Sequence, residues 1–470
     1  MRISFLVLAL LLAGCAPTIK QGAPMINQAE IPAQLMQSKA VILTQDHRLP
    51  EMWWLRFHDK ELDQFIALAL NNNPGLQEAE DRVEMAQAVL SESESLNLPH
   101  IDSQAQILRL KSSKLGNHDI YNGKTASVSN INPLTINYHL DIWHRDSEII
   151  AASQDDVQKQ LSQAQQSALL LSASVIKTYC ALNTAKKMIT VQQDVVQSVQ
   201  NEWILRQNAY QTGIQSRSPQ LKQHAVVLHE QEALAGLQKH AEALQFALLE
   251  LLGKSANLND KIAMAPIHVP EHFALPLHID FDLLAQRPDI QAALWNIKQW
   301  KHLEKVAQLS FYPNININAL VGFNIIGLHQ MLGADAFQYA AGPAIDLPLF
   351  EGGALEARLH RNEAGYDLAV HTYNRTILSA VRQIADALSS LQYTQTQLNE
   401  SNDTLTIRRE TMQIAQNAYA TGIDGKFPYL ESLIEMDHTK LHDMEENLTW
   451  LNDITDAATA LGGGFGGMQS

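Results

Sequence analysis

Gln207-Asn208-Ala209-Tyr210-Gln211-Thr212-Gly213-Ile214 recurs 209 positions later as Gln416-Asn417-Ala418-Tyr419-Ala420-Thr421-Gly422-Ile423. Pro219 and Leu221 follow the first copy at the spacing with which Pro428 and Leu430 follow the second. A chain of 470 residues that repeats near half its length reads as two copies of one architectural unit. Each copy also reads as a helix end. Gly213 and Gly422 suit the left-handed residue that stops a helix, and the prolines suit the first turn of a returning one.

The pattern before each copy is a heptad. Leu161, Ala168, Val175, Leu182, Ile189, Val196, Trp203 and Tyr210 are seven apart, with Ala164, Leu171, Ala185 and Val199 adding a second stripe. The same phase returns as Val370, Ile377, Ile384, Leu391, Leu398, Leu405, Met412 and Tyr419. Such runs predict long helices packed at coiled-coil spacing. About 68 residues at 1.5 Å each make a rod of roughly 100 Å. The returning partners are expected from about Pro219 to Leu252 and from Pro428 to Leu461. Shorter helices are expected from Leu62 to Leu96, broken near Pro74, and from Phe281 to Leu309.

Ahead of each rod the period falls to two. Ile315, Ile317, Ala319 and Val321 alternate with Asn314, Asn316, Asn318 and Leu320, and a similar run covers Gln338 to Leu349. In the first half, Ile136, Tyr138, Leu140 and Ile142 alternate with polar neighbours, and Ile101 to Ile107 is the weakest strand. A soluble sandwich alternates in the same way. Asparagine on one face and strands of about ten residues fit a barrel with a wet lumen and an oily exterior. Four strands cannot close such a barrel, and hydrocarbon does not tolerate open edges, so several chains must pool their strands.

The N-terminus reads as a targeting segment. Met1-Arg2 precedes a run of ten mainly apolar residues, Ile3 to Leu12, too short to span a bilayer. Leu12-Ala13-Gly14-Cys15 follows and resembles a bacterial lipobox, which implies cleavage before Cys15 and lipidation of that residue. Ala16, in place of an aspartate, favours sorting to the outer membrane. An ordinary signal peptide is the alternative. Cys180 is the one other cysteine; it falls in a helical pattern and reads as a small buried apolar residue. No later run reads as a membrane-spanning helix. With 34 basic and 50 acidic side chains, the net charge of −16 argues against nucleic acid and against charge-driven binding to anionic lipid.

Taken in order, several motifs resemble the TolC-type outer membrane efflux proteins, in particular their lipoprotein branch. They are Trp53-Trp54, Phe57, Asp59 and Leu62; Ala69-Leu70 and Asn73; Leu140-Asp141-Ile142-Trp143; and Leu284 with Arg287-Pro288-Asp289-Ile290. Tyr312-Pro313-Asn314-Ile315, Leu349-Phe350-Glu351-Gly352-Gly353 and Leu461-Gly462-Gly463-Gly464 complete the series. The resemblance implies a mainly α chain with a membrane β-barrel. Three chains would give four strands each to a 12-stranded barrel, continuous with a long periplasmic α-helical barrel. It implies a homotrimer in outer membrane lipid, acting as a passive duct for small molecules, with a periplasmic adaptor protein and an inner-membrane efflux pump as partners.

The implied organisation has a lipoprotein signal peptide over 1–14 and a lipidated linker over 15–50. A first repeat covers 51–254, with strands at about 99–110 and 127–143 and a hairpin over 145–252. A linker over 255–280 leads to a second repeat over 281–464, with strands at about 311–323 and 337–349 and a hairpin over 352–461. A glycine-rich tail ends the chain at 465–470.

The resemblance also implies sites. Tyr210, Thr212, Gly213, Tyr419, Thr421 and Gly422 would form the tips where the adaptor docks. Tyr419, Glu431 and Glu435 would belong to a periplasmic gate, Tyr419 as part of a polar link and Glu431 as a ring position. Threefold repetition of Glu431, with Glu435 one turn later on the same face, would favour cations; solvated helix charges are the alternative reading. This chain departs from the family where Pro428 replaces a second aspartate and Asp424 replaces a linking arginine. In the first repeat, Lys222 stands where the second has Glu431.

Gly123-Lys124-Thr125 lacks the preceding glycine of a phosphate loop, since His118 stands there, and reads as a loop tip. No His-Glu-x-x-His pair and no Gly-x-Ser-x-Gly elbow occurs, so no metal, cofactor or catalytic set is expected. Arg287-Pro288-Asp289 reads as a helix start. The competing function is a periplasmic adaptor lipoprotein, which would carry one hairpin and not two in-phase halves.

Overall fold

A computed structural model describes residues 17–27, 41–44, 52–115, 123–256, 273–276, 281–326 and 334–463. The leader, Cys15, His118 and the tail beyond 463 lie outside them. The helices are α1 (Lys60–Asn72), α2 (Pro74–Glu94), α3 (Arg145–Gln211), α4 (Arg217–Leu251), α5 (Phe281–Ala285), α6 (Pro288–Leu309), α7 (Ala354–Ala420) and α8 (Lys426–Ala460). The strands are β1 (Val41–Thr44), β2 (His100–Lys111), β3 (Thr125–His139), β4 (Phe273–Pro276), β5 (Asn314–Ile326) and β6 (Phe337–Asp346). β1 and β4 pair in parallel, a small sheet inside segments read above as linkers. Two compact units result, and neither is one repeat: Arg82–Gln160 and Ala292–Tyr373 belong to one, Leu161–Gln291 and the chain from Asn374 to the other.

The first unit holds an antiparallel sheet in the order β2-β3-β5-β6. Its register aligns Ile101, Ile136, Ala319 and Ala341 across all four strands, with Tyr138, Ile317 and Pro343 in a parallel row. Because side chains alternate along a strand, Asn137 and Asn318, and His139 and Asn316, share the opposite face. The expected split between an apolar and a polar face is therefore built. Pro343 sits on an edge strand of this sheet, the place where a residue without an N–H is tolerated. Pro133 sits in an inner strand, and the register slips there, between Ile131 and Leu134. Gly322 lies beneath that slip: a Cβ there would come within 2.2 Å of Asn132 Oδ1.

Aromatic rings mark both ends of the sheet. Phe323 and Phe337 meet at 6.1 Å and Phe337 and Tyr339 at 6.3 Å. At the other end Trp143 packs on Tyr312 at 5.1 Å and donates through Nε1 to the Pro313 carbonyl at 2.9 Å. β3 stops at His139, short of the alternation expected to 143. Asp141 turns away from the strand because its carboxylate accepts from the backbone N–H of Asp146 and of Ser147, each at 2.9 Å, and so opens α3.

In the second unit Asp59 is the N-cap of α1. It accepts from the N–H groups of Glu61 and Leu62 at 2.9 and 3.2 Å and from Tyr179 Oη at 2.7 Å. Trp53, Phe57, Leu62 and Ile66, on either side of it in sequence, are almost fully buried. Cys180 is buried too, and burial, with the nearby Asp59 charge, pushes its thiol up to about 12. Arg287, only 4 % exposed, donates to Asp289, to Gln383 Oε1 at 2.8 Å and to the Ala460 carbonyl at 2.5 Å. Asp289 accepts from the N–H of Ile290 in the first turn of α6, the helix start expected there.

The heptad stripe of the second half is buried from Val370 through Ile377, Ile384, Leu391 and Leu398, and opens toward the tip. In α3, Val175 and Leu182 are buried, and nearer the tip the core shifts to Val195 and Val199, which pack with Val227 of α4, Trp203 and Ile434 of α8. One expectation is corrected. Among the described residues α3 is long and apolar enough by composition to cross a membrane, and 56% of that window is buried within the protein. Its apolarity is that of a helix covered by other helices.

Candidate functional site at the hairpin tips

Each tip is closed by one hydrogen-bond pattern. Gly213 N–H donates to the Tyr210 carbonyl at 3.0 Å and Ile214 N–H to the Ala209 carbonyl at 2.9 Å. Gly422 N–H donates to Tyr419 at 3.1 Å and Ile423 N–H to Ala418 at 2.9 Å. These two bonds are the Schellman motif, which needs a left-handed residue after the cap; φ is 75° at Gly213 and 73° at Gly422. The hydroxyls of Thr212 and Thr421 donate back to Asn208 and Asn417 at 2.9 and 2.8 Å. Thus the Asn, Thr and Gly of the repeated octapeptide each have a place in the turn. Ile214 and Ile423, at 78% and 79% exposure, stand out from it as uncovered apolar side chains.

The tips differ at the next helix. Tyr419 stacks on Tyr429, rings 6.0 Å apart and 2° from parallel. Gln220 holds the position of Tyr429 in the first repeat. Arg206 of α3 lies over the ring of Phe427 in α8 at 4.8 Å and is ion-paired with Glu202.

The two candidate carboxylates are both exposed on α8 and have different surroundings. Glu435 Oε2 accepts from Arg408 Nη1 of α7 at 2.5 Å. Among the described residues Glu431 has no hydrogen bond or ion pair. Reading the sequence missed Arg408. The signal was available, since Arg408 and Glu435 lie at similar distances on either side of Gly422, on the two arms of one antiparallel hairpin. Asp424 donates its N–H to the Ala418 carbonyl at 3.2 Å.

Deeper in the same unit, Glu230 of α4 accepts from Gln192 Nε2 at 2.7 Å and lies 3.5 Å from His438 Nε2. Asp437 is 5% exposed, and burial raises its carboxyl above 3.8, with Asp194 adding to the shift against Lys440 and His438. Among the described residues no group of His, Cys, Asp and Glu could hold a metal ion.

Two long helical hairpins, each led by a strand pair that feeds one four-stranded sheet, define a channel protomer of the outer-membrane type. Residues 65–254 and 282–463 match the model of the outer membrane efflux protein family, so both repeats are covered. The chain belongs to that family. It is 27% identical over 473 residues to the multidrug resistance outer membrane protein MdtQ of Escherichia coli O157:H7, covering 97% of each chain. The Campylobacter jejuni CmeC outer membrane channel superposes with a TM-score of 0.87 over 97% of this chain and 96% of its own, at 22% identity. The outer membrane protein VceC of Vibrio cholerae superposes with a TM-score of 0.76 over 88% of this chain and 98% of its own, at 25% identity.

Proposed function

We propose that the chain is one of three protomers of a passive outer-membrane duct for small molecules. The observation that carries this is the sheet. It has one apolar face, aromatic rings at both ends and open edges at β2 and β6. Open edges are not stable in hydrocarbon, and three copies supply the twelve strands of a closed barrel. A second observation supports the association. Leu221 and Leu228 on α4, and Ile407 and Ile414 on α7, are exposed at seven-residue spacing. These are coiled-coil seams that another copy would cover.

In this reading an inner-membrane pump supplies the energy and a periplasmic adaptor docks at Tyr210, Thr212, Gly213, Tyr419, Thr421 and Gly422. MdtQ is named for multidrug resistance, which supports drugs and other toxic compounds as cargo. Tyr419, Glu431 and Glu435 form the periplasmic constriction. Cys15 carries lipid that anchors the N-terminus.

Reconstitution tests the proposal. Protein extracted from outer membranes should run as a trimer and open channels in planar bilayers. A soluble, non-conducting monomer recovered after lipid removal would sink it.

A further inference from the structure

β2 changes character along one face. Ile101, Ala105 and Ile107 lie on the apolar side of the sheet, and by alternation Arg109 and Lys111 continue that side. The register fixes their height. Ala105, Ile131, Phe323 and Phe337 form one row across all four strands. Arg109 stands beyond that aromatic row by about 14 Å along the strand, and Lys111 by about 20 Å. Their cross-strand partners are Ser127 and Thr125. Each cation therefore has a hydroxyl residue beside it, Cβ atoms about 5 Å apart.

The turn adds two more cations. Ser112 N–H donates to the Lys124 carbonyl at 3.0 Å, and Gly123 N–H to the Ser113 carbonyl at 3.4 Å. A Cβ on Gly123 would fall 2.9 Å from Lys114 Cγ, so the stem of Lys114 lies across the glycine, next to Lys124. Arg109, Lys111, Lys114 and Lys124 are all exposed, and Leu115 beside them is 95% exposed. In a chain of net charge −16 this patch runs against the average. Among the described residues of 104–115, 123–132, 320–326 and 334–341, the half of the sheet away from the helices, the one acid is Asp335. A single carboxylate offsets one cation of the four.

Guanidinium, ammonium and hydroxyl groups together make a donor-rich, positive surface, which suits phosphate. A phosphodiester carries one negative charge, whereas a phosphate monoester carries close to two at neutral pH. Four cations in one patch favour monoesters. The duct reading turns the apolar face toward lipid and puts this end of the sheet opposite the periplasmic tips. We propose that Arg109, Lys111, Lys114 and Lys124 bind phosphate groups on the sugar headgroup of a glycolipid in the outer leaflet. Arg109 supplies a planar fork for phosphate oxygens, and the lysines act as point charges on long apolar stems. Leu115 offers the lipid an uncovered apolar side chain. The site rests on the duct reading, and its test is built to separate the two.

Native mass spectrometry of the detergent-purified protein, titrated with diphosphoryl lipid A, reads the site directly. Wild type should retain the lipid. Arg109→Gln with Lys111→Gln should lower retention about tenfold or more, since charge-assisted hydrogen bonds are lost. Lys114→Gln with Lys124→Gln, outside the strand ladder, should lower it as well. Arg109→Lys with Lys111→Arg keeps both charges and should retain the lipid, which separates lost binding from lost folding. Equal retention by wild type and both glutamine pairs would overturn the site. So would equal retention of lipid A stripped of its phosphates. Retention of phosphatidylglycerol as strong as that of lipid A would overturn the preference for monoesters. Displacement by millimolar inorganic phosphate would show that the patch takes the free anion, and would overturn the glycolipid. The same samples are read in planar bilayers. A conducting trimer indifferent to lipid A sinks the site alone, whereas protein that neither trimerises nor conducts sinks the duct reading and the site with it.

Discussion

Tyr419 lies at the end of α7 and Tyr429 in the first turn of α8, and their rings lie 2° from parallel. The stack joins the two sides of one tip, where the first repeat has Gln220 and no such pair. An aromatic pair contributes about 0.5–1.5 kcal/mol beyond its buried area. Tyr429→Ala should therefore shift a closed–open equilibrium by about fivefold, read as a higher closed-state conductance in bilayers. Gln220→Ala at the matching place should leave conductance unchanged.

The constriction should take its charge from Glu431 more than from Glu435. Arg408 already offsets Glu435. An exposed pair contributes only about 0.2–1 kcal/mol to stability, so either partner can be changed without unfolding the hairpin. In a salt gradient, Glu431→Gln should move the reversal potential toward zero by more than Glu435→Gln. Arg408→Gln should increase cation preference. Unchanged selectivity in Glu431→Ala with Glu435→Ala would remove the ring from the mechanism.

Arg287 should be the most costly side chain to truncate in its unit. Removing a buried, multiply bonded cation leaves its acceptors stranded and costs about 3–5 kcal/mol. Arg287→Met should lower the unfolding temperature accordingly. Arg287→Lys should fail to rescue it, because one ammonium cannot reach Asp289, Gln383 and the Ala460 carbonyl in a planar fork.

Asp437 gives a pH dependence of defined sign. Its carboxyl is raised in the folded state, so the unfolded chain ionises first as pH climbs past 3.8. The folded state then binds more protons, and stability falls with rising pH until Asp437 itself ionises. Asp437→Asn should raise the unfolding temperature at neutral pH and leave it unchanged below pH 3.8. A gain of equal size at both pH values would show that the effect is not ionisation.

Glycine at the tips should be replaceable at a fixed conformational cost. Nothing lies within 4 Å of a Cβ built on Gly213 or Gly422, so Ala would meet only the strain of positive φ. Each Gly→Ala should cost about 1 kcal/mol, and Gly→Asn less. A much larger loss would mean that the open space is filled by a neighbouring copy.

What the sequence made legible had a period. The tips, the rods and the two-faced strands all declare themselves by spacing, and the helix start at Pro288–Asp289 by composition. The seating of residues 20–26 on α7 was invisible because its donors are the backbone N–H groups of Lys20, Ala23 and Ile26, which carry no sequence signature, and its acceptors are the ordinary polar side chains of Glu363, Asp367 and Asn374. Alternation overran the end of β3 because Leu140 and Ile142 continue the pattern while Asp141 caps the next helix. Pro133 signalled a break, but only the pairing shows that the strand absorbs it as a bulge.

The Asp141 cap has a mechanical consequence. One carboxylate, two residues past the end of β3, grips the backbone N–H groups of Asp146 and Ser147 and the Ser147 hydroxyl at 2.6 Å. The joint between strand and helix is thus a stiff coupling, not a swivel. Twisting the start of α3 would have to drag β3 out of register with both of its neighbours in the sheet.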